Sequence, residues 1–315
     1  MLRLIYSLLA LLLLFPTAAR CQEEQLLSRE QLLELYGDST DELNETEANS
    51  LLLDLVNHER EQAGLPKLAP LDLAAFMARR HAADMARDGY SAHYDTDGHN
   101  PVERYNRLGG TDYVQENLIL LEIDWPLRLT QRLVRSFHRE WMASPEHRRT
   151  LLSPQATHFG SSFELYRVGG LYRMGAVQEF VCERGDYSRL PQRMSTGERL
   201  QLGGQFQQGV EPGYIGIGLQ PTAVALSPAE LNALPKFYFL PEESFQLPLD
   251  PQLIEQAMQL PAARASYDAQ AHSFSLELDI PADWAGRTAY FYIFAQPPGD
   301  SELRCISCQT VSIDG

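Results

Sequence analysis

The stretch from His81 to Leu152 decides the fold, because it contains three short segments that alternate with predicted helices. They read Gly89-Tyr-Ser-Ala-His93-Tyr-Asp95, Gln115-Glu116-Asn117-Leu118 and Trp141-Met-Ala-Ser144-Pro-Glu-His147-Arg-Arg-Thr-Leu-Leu152. Each joins a helix end or a turn to one titratable side chain. We therefore expect a polar site on a helical scaffold, with a leader before it, a β-hairpin closing it and a second domain after it.

Capping patterns predict helices on both sides of these segments. Asn44 with Glu47 three residues later forms a capping box, and Gly64 and Gly89 are typical of the ends of the first two helices. The helix after Asp124 is the longest amphipathic one in the pattern. The predicted helix starts are Asn44, Leu71, Asn100-Pro101, Asp124-Trp-Pro126 and Ser144-Pro145.

The pattern changes from helix to strand after His158. Apolar residues then alternate with period two, turn at Val168-Gly-Gly-Leu171 and return to Val181, which predicts an antiparallel hairpin. Helices followed by strands indicate an α+β domain over residues 48–182. Residues 183–199 are polar and are interpreted as a linker.

Residues 200–315 carry mostly β signals and are expected to form a smaller, β-sandwich-like domain. Two short helices are expected to interrupt it. The predicted extended segments are 213–218, 236–240, 274–280 and 288–294, and the predicted helices are 229–234 and 251–259.

The amino terminus predicts export. Arg3 precedes an almost wholly apolar run from Leu4 to Phe15, which is typical of a cleaved signal over residues 1–21 and is too short to span a bilayer. Residues 22–47 then form an acidic leader. We expect a secreted or periplasmic protein without a transmembrane segment. The formal net charge of −16 argues against nucleic acid as a partner.

The four cysteines fit an exported protein. Cys305-Ile-Ser-Cys308 lies in a β-like run without a following helix, so a redox motif is disfavoured. A structural disulfide, either within this pair or from it to Cys182, is the expectation.

His93, Glu116 and His147 are the candidate ligand-binding residues. Two imidazoles and a carboxylate can hold Zn²⁺ or another divalent cation, in which case His93 and His147 are the metal ligands; alternatively, a carboxylate can orient a histidine that acts as a base. His81 lies one position off an apolar helical stripe and is interpreted as a histidine that packs or bonds locally. No nucleophile-elbow or H-E-x-x-H motif is present in the sequence.

An ordered set of motifs resembles one known family. The set is Asn57-x-x-Arg60, Gly64-Leu-Pro-x-Leu68, His81-x-x-x-Met85-Ala, Gly89-Tyr-Ser-x-His93-Tyr-Asp, Pro101-x-Glu-Arg104, Glu116-Asn117-Leu, Trp141-Met-x-Ser-Pro-x-His147-Arg and Phe159-Gly160. In this order they resemble the CAP superfamily, the SCP-like group in its bacterial form, over about residues 48–182.

The resemblance implies an α-β-α sandwich and a cleft in which His93 and Glu116 converge. Many eukaryotic members have a second glutamate where this chain has Ser144, so His147 is the expected local partner, and Asn117 is expected to tie loops together beside the cleft. Family members have been linked with lipid or sterol binding, metal binding, cell-wall or host interaction and proteolysis.

Three hypotheses follow. The leading one is an exported binding or interaction protein whose cleft takes a divalent metal or a small ligand such as a lipid, with envelope or extracellular partners. The second is a metal- or His/Glu-assisted hydrolase acting on envelope or extracellular substrates. The third is a structural or adhesive protein whose cleft residues stabilise loops.

Overall fold

The structure, a computed structural model, describes residues 41–249 and 263–315. The predicted signal, most of the acidic leader, Cys21 and the predicted helix at 251–259 lie outside these ranges. Within them, no helix is both long enough and apolar enough to cross a membrane.

Five helices come from residues 45–151. The predicted capping box at Asn44 forms, since its side chain accepts from the Glu47 amide, and the predicted helix start at Asn100 forms a second one, since its side chain accepts from the Glu103 amide. Gly89 ends the second helix in the left-handed conformation, as the sequence indicated. The helices are α1 (Glu45–Gln62), α2 (Asp72–Asp88), α3 (Pro101–Arg107), α4 (Gln131–Ala143) and α5 (Pro145–Leu151).

Helix α4 begins later than predicted, and it is not the longest. It has 13 residues against 18 in α1. Its start is Thr130, whose hydroxyl accepts from the amide of Leu133 at 3.2 Å. The residue before it is not helical, since the carbonyl of Leu129 accepts from the amide of Leu43 at 2.8 Å. The true N-cap therefore lies after the Asp124-Trp-Pro126 segment.

A four-stranded sheet lies between the helices, in the order β1-β3-β4-β2. Helix α2 covers one face, and α1 with α4 covers the other, so residues 45–182 form an α-β-α sandwich. A Cβ on Gly160 would lie 2.1 Å from the amide nitrogen of Ala75, which shows how closely α2 approaches the sheet. The strands are β1 (Ala69–Pro70), β2 (Tyr113–Ile123), β3 (His158–Val168) and β4 (Leu171–Cys182).

The region after residue 182 packs two sheets around one apolar core. Their orders are β10-β11-β7-β5 and β6-β13-β12-β8-β9, and a short helix, α6 (Pro228–Ala233), follows β8. The strands are β5 (Gly185–Tyr187), β6 (Arg193–Ser195), β7 (Arg199–Phe206), β8 (Glu211–Pro221), β9 (Glu243–Pro248), β10 (Ala263–Asp268), β11 (Ser273–Asp279), β12 (Arg287–Gln296) and β13 (Arg304–Asp314).

Two segments differ from their sequence interpretation. The interpreted linker at 183–199 contributes β5 to one sheet and β6 to the other, so it belongs to the β-rich region. The aromatic run Lys236–Leu240 was predicted to be extended within that region, but it is a loop between α6 and β9. The loop lies against the first domain instead, where its aromatic side chains line a cavity.

The two regions share a buried contact. Tyr290, Tyr292 and Cys308 of β12 and β13 pack against Met77 of α2 and Tyr105 of α3. The hydroxyl of Tyr290 also accepts from the side-chain amide of Asn100 at 2.7 Å. The β-rich region is therefore packed directly onto the helical side of the sandwich.

The expected disulfide is not formed. Cys182, Cys305 and Cys308 are free thiols, and Cys182 and Cys308 are buried. Cys305 and Cys308 lie three positions apart on one strand, β13. At a rise of about 3.3 Å per residue, a regular strand separates their Cα atoms by roughly 10 Å, beyond the roughly 4–7 Å that a disulfide spans.

Candidate functional site

A buried ion pair lies at the centre of the site. Glu116, on the middle of β2, has no exposed side-chain surface, and one carboxylate oxygen, Oε2, forms an ion pair with the Arg104 guanidinium from α3. The other oxygen, Oε1, lies 2.8 Å from Nδ1 of His93. Both carboxylate oxygens of Glu116 are thus occupied by protein groups.

Arg104 also fixes the loop that carries His93. Its NH1 group donates to the carbonyl oxygens of His93 at 2.5 Å and of His99 at 3.1 Å. The capping box at Asn100 sets the start of α3, and Arg104 lies one turn further along that helix. The helix start therefore determines where the guanidinium meets both the loop and Glu116.

The charge state of Glu116 follows from these contacts. Burial alone would raise its pKa, but the charge of Arg104 and the hydrogen bond from His93 outweigh burial and hold the pKa well below its usual range. Because an ionised carboxylate only accepts hydrogen bonds, the proton between the two residues is on Nδ1 of His93. Nδ1 is thus engaged by Glu116, and Nε2 is the ring nitrogen that this pair leaves available for another hydrogen bond.

Two further titratable residues lie next to this network. His81 of α2 is buried, and its Nε2 donates to the carbonyl of Ala92 at 2.9 Å, the local bond expected from the sequence. Burial, helped by the charge of Arg104, lowers its pKa to about 4, so the ring is neutral. Glu179 of β4 lies directly opposite Glu116 in the sheet register. Burial and the Glu116 charge raise the pKa of Glu179 well above its usual value.

His147 reaches the same cavity from α5. Burial lowers its pKa to about 4, and the nearby His93 imidazole acts in the same direction, because two protonated rings would repel each other. Asn117 ties α5 to the sheet, since its side-chain amide donates to the carbonyl of His147 at 3.0 Å and to Gln178 Oε1 at 3.1 Å. Ser144 begins α5 without a side-chain cap and does not line the cavity.

His93, Glu116 and His147 line one cavity of about 360 Å³, a size typical of small-molecule sites. Residues of β2 and α5 form its polar side. The loop Lys236–Leu240 from the β-rich region forms another wall, and the ring centroids of Tyr238 and His93 lie 5.1 Å apart. The cavity is therefore built by both regions of the chain.

Metal ligation needs several donors within a few ångström of one another. Among the described residues, one group of three has this spacing, Asp95, Asp97 and His99, and it lies on the loop before α3. Glu116 has both oxygens engaged by Arg104 and His93. The donor set of the cavity therefore does not fit a divalent ion held by His93, Glu116 and His147 together.

Sequence reasoning missed three contributors to the site. Arg104 was noted only as part of a motif, and its pairing with Glu116 depends on tertiary structure. Glu179 carried a usable signal, because Gln178 and Glu179 are the polar residues in the otherwise apolar part of β4 from residue 174 to 182. The loop around Tyr238 carried none, since its pattern resembles that of a strand.

Comparisons with known proteins find matches to the first region of the chain. Residues 53–182 match the family model CAP, the Cysteine-rich secretory protein family. No curated protein matches the chain.

Two solved structures are similar to part of the chain. One is an extracellular protein containing a SCP domain from Bacillus anthracis str. Ames, with 23% identity over 50% of this chain and a TM-score of 0.35. This chain covers 44% of that protein. The other is an outer surface protein from Borrelia burgdorferi, with 15% identity over 45% of this chain and 98% of that one and a TM-score of 0.36.

Proposed function

We infer that this chain, whose residues 53–182 are a CAP domain of the Cysteine-rich secretory protein family, is an exported binding protein. Its binding site is the cavity lined by His93, Glu116 and His147, and its ligand is a small molecule with polar groups. Export rests on the signal-like pattern of residues 1–21.

One observation carries the proposal. His93 is held by Glu116 at Nδ1, so Nε2 is left as the nitrogen for a ligand beside a cavity of about 360 Å³. The hydrogen bond, the ion pair to Arg104 and the loop contacts fix the ring before any ligand arrives. Such preorganisation lowers the entropic cost of binding.

Native mass spectrometry of the full mature chain tests this proposal. The probes are Zn²⁺, decanoate and chitotetraose, each offered to the wild type, to His93→Ala and to His58→Ala, a control at an exposed histidine of α1. We expect one probe to add its mass to the wild type and to His58→Ala but not to His93→Ala. If every probe that binds does so equally in His93→Ala, the site is misassigned.

Zn²⁺ is included because two imidazoles, His93 and His147, line the cavity. It is the less favoured probe, because the carboxylate of Glu116 already bonds Arg104 and His93, which leaves two imidazoles where zinc sites use three or four protein ligands. A Zn²⁺ adduct lost in both His93→Ala and His147→Ala would establish a two-histidine metal site.

A hydrolase is the second candidate, and the His93–Glu116 pair favours it. A carboxylate that orients an imidazole is the arrangement of a general base acting on water. Hydrolysis of peptide, ester or glycan substrates should then fall in Glu116→Gln while the His58→Ala control keeps full activity. Unchanged hydrolysis in Glu116→Gln would exclude His93 as the base.

A further inference from the structure

The β-rich region holds the loop that carries His93. We define the strap as residues 224–240, which begin shortly after β8 ends at Pro221 and run through α6 to the aromatic loop. Asn232 accepts from the amide of Ser91 and donates to the carbonyl of Gly89, both at 3.0 Å. Lys236 donates to the carbonyl of Ser91 at 3.2 Å. The strap thus contacts backbone groups just before His93.

The strap is anchored by an apolar side chain as well. Leu231 of α6 is fully buried among Ala82, Met85 and Tyr90 of the CAP domain. On the other side of His93, the amide of Leu226 donates to the carbonyl of Thr96 at 2.8 Å. The strap therefore lies at a fixed position beside the cavity.

The strap presents an aromatic wall to the cavity, formed by Phe237, Tyr238 and Phe239. Phe237 and Phe239 are 52% and 69% exposed, and their rings pack edge to face with the centroids 4.9 Å apart. Exposed aromatic rings grouped at a cavity are typical of binding surfaces. The wall faces a ligand site and not a packed core.

The opposite side of the cavity is polar. Apart from Glu116 and Asn117, which are bonded within the protein, it carries His93, Gln115, His147 and Thr150. A hydrocarbon chain would fit the aromatic wall, but it would cover these polar groups without hydrogen-bonding them, which is costly. A small ion would leave the wall without a partner. The lining therefore calls for a ligand with an apolar face and several hydroxyl groups on one ring.

We propose that this composite cavity binds a saccharide, with one sugar ring against Phe237 and Phe239 and a hydroxyl donating to Nε2 of His93. Sugar rings combine C–H faces, which pack on aromatic rings, with hydroxyls that donate and accept hydrogen bonds. This inference rests on the proposed function, because it names the ligand class of the same site. It adds the β-rich region as a source of binding residues.

Isothermal titration of the full chain with chitotetraose, cellotetraose and oligogalacturonate tests the proposal, with decanoate as the apolar comparison. We expect at least one oligosaccharide to bind the wild type. Phe239→Ala should weaken this binding about tenfold and Phe239→Tyr by less than about threefold, because tyrosine keeps the ring face. Phe76→Ala removes a similarly exposed phenylalanine, 50% exposed on α2, and should change nothing.

Each contrary outcome is distinct. If oligosaccharide binding is lost in His93→Ala but is unchanged in Phe239→Ala, the aromatic wall is not part of the site, and the proposed function stands. If decanoate alone binds and requires His93, the ligand class is wrong. If no probe requires His93, both the saccharide proposal and the proposed function fail. Phe239 is mostly exposed, so its replacement leaves the packed core untouched.

Discussion

Replacing Arg104 by methionine tests the buried network at the site. The variant leaves the Glu116 carboxylate buried without its counter-ion, and it removes the donor to the carbonyls of His93 and His99. Removing one partner of a buried ion pair costs about 3–5 kcal/mol in the free energy of unfolding. We expect Arg104→Met to lose this amount at pH 7, measured by urea denaturation and linear extrapolation.

A surface arginine provides the matched control. Arg79 pairs with Glu45 and Glu164, but its side chain is 55% exposed. Exposed ion pairs contribute about 0–1 kcal/mol, so Arg79→Met should cost little. Arg104→Met/Glu116→Gln should recover part of the loss, because the amide carries no charge to desolvate. If Arg104→Met costs no more than Arg79→Met, the network does not stabilise the fold as argued.

Four further predictions concern pH, packing and thiols. Burial lowers the pKa of His81 to about 4, so the native state binds fewer protons than the unfolded state below pH 6.5. Acidification from pH 6.5 to 4 should therefore lower the free energy of unfolding of the wild type by about 3 kcal/mol more than that of His81→Gln, as measured by urea denaturation. The raised pKa of Glu179 has the opposite effect, because the wild type loses stability as pH rises above 4.5. Glu179→Gln lacks this group, so its free energy of unfolding should rise relative to that of the wild type over the same pH range. A difference between the two proteins that stays constant with pH would contradict this. Gly160→Ala should lower the free energy of unfolding by about 1–3 kcal/mol, because its Cβ would meet the backbone of Ala75, whereas Gly203→Ala, whose nearest contact is at 3.4 Å, should change it by less than about 0.5 kcal/mol. Burial raises the pKa of all three described cysteine thiols, so Ellman's reagent at pH 8 should react with them in urea and not in the native protein.

Local signals predicted most helices and the hairpin. The capping box at Asn44 works because its partners lie three residues apart, so no tertiary information is needed. Strand β2 was missed because polar Glu116 and Asn117 sit in its middle, one facing each side of the sheet. A strand whose two faces are both covered, and which carries site residues on each, loses the alternation that reveals strands.

The site was predictable only in part. The convergence of His93 and Glu116 followed from the family resemblance and not from their spacing, and the structure brings the two side chains within 2.8 Å. Neither the occupation of both Glu116 oxygens nor the aromatic wall is a local property. Lys236–Leu240 has the residue types of a strand, but its contact with the CAP domain overrides that preference.

His93 is fixed from two sides by residues of different origin. From within the CAP domain, Arg104 bonds the carbonyl of His93 itself and the carboxylate that orients its ring. From the β-rich region, the strap bonds the backbone at Ser91 and at Thr96, on either side of the histidine. A loop held at both ends and at its centre has few conformations left to lose when a ligand binds. The position of His93 is therefore set by both regions of the chain. The CAP domain bonds its carbonyl and its ring, and the strap bonds the backbone on either side of it.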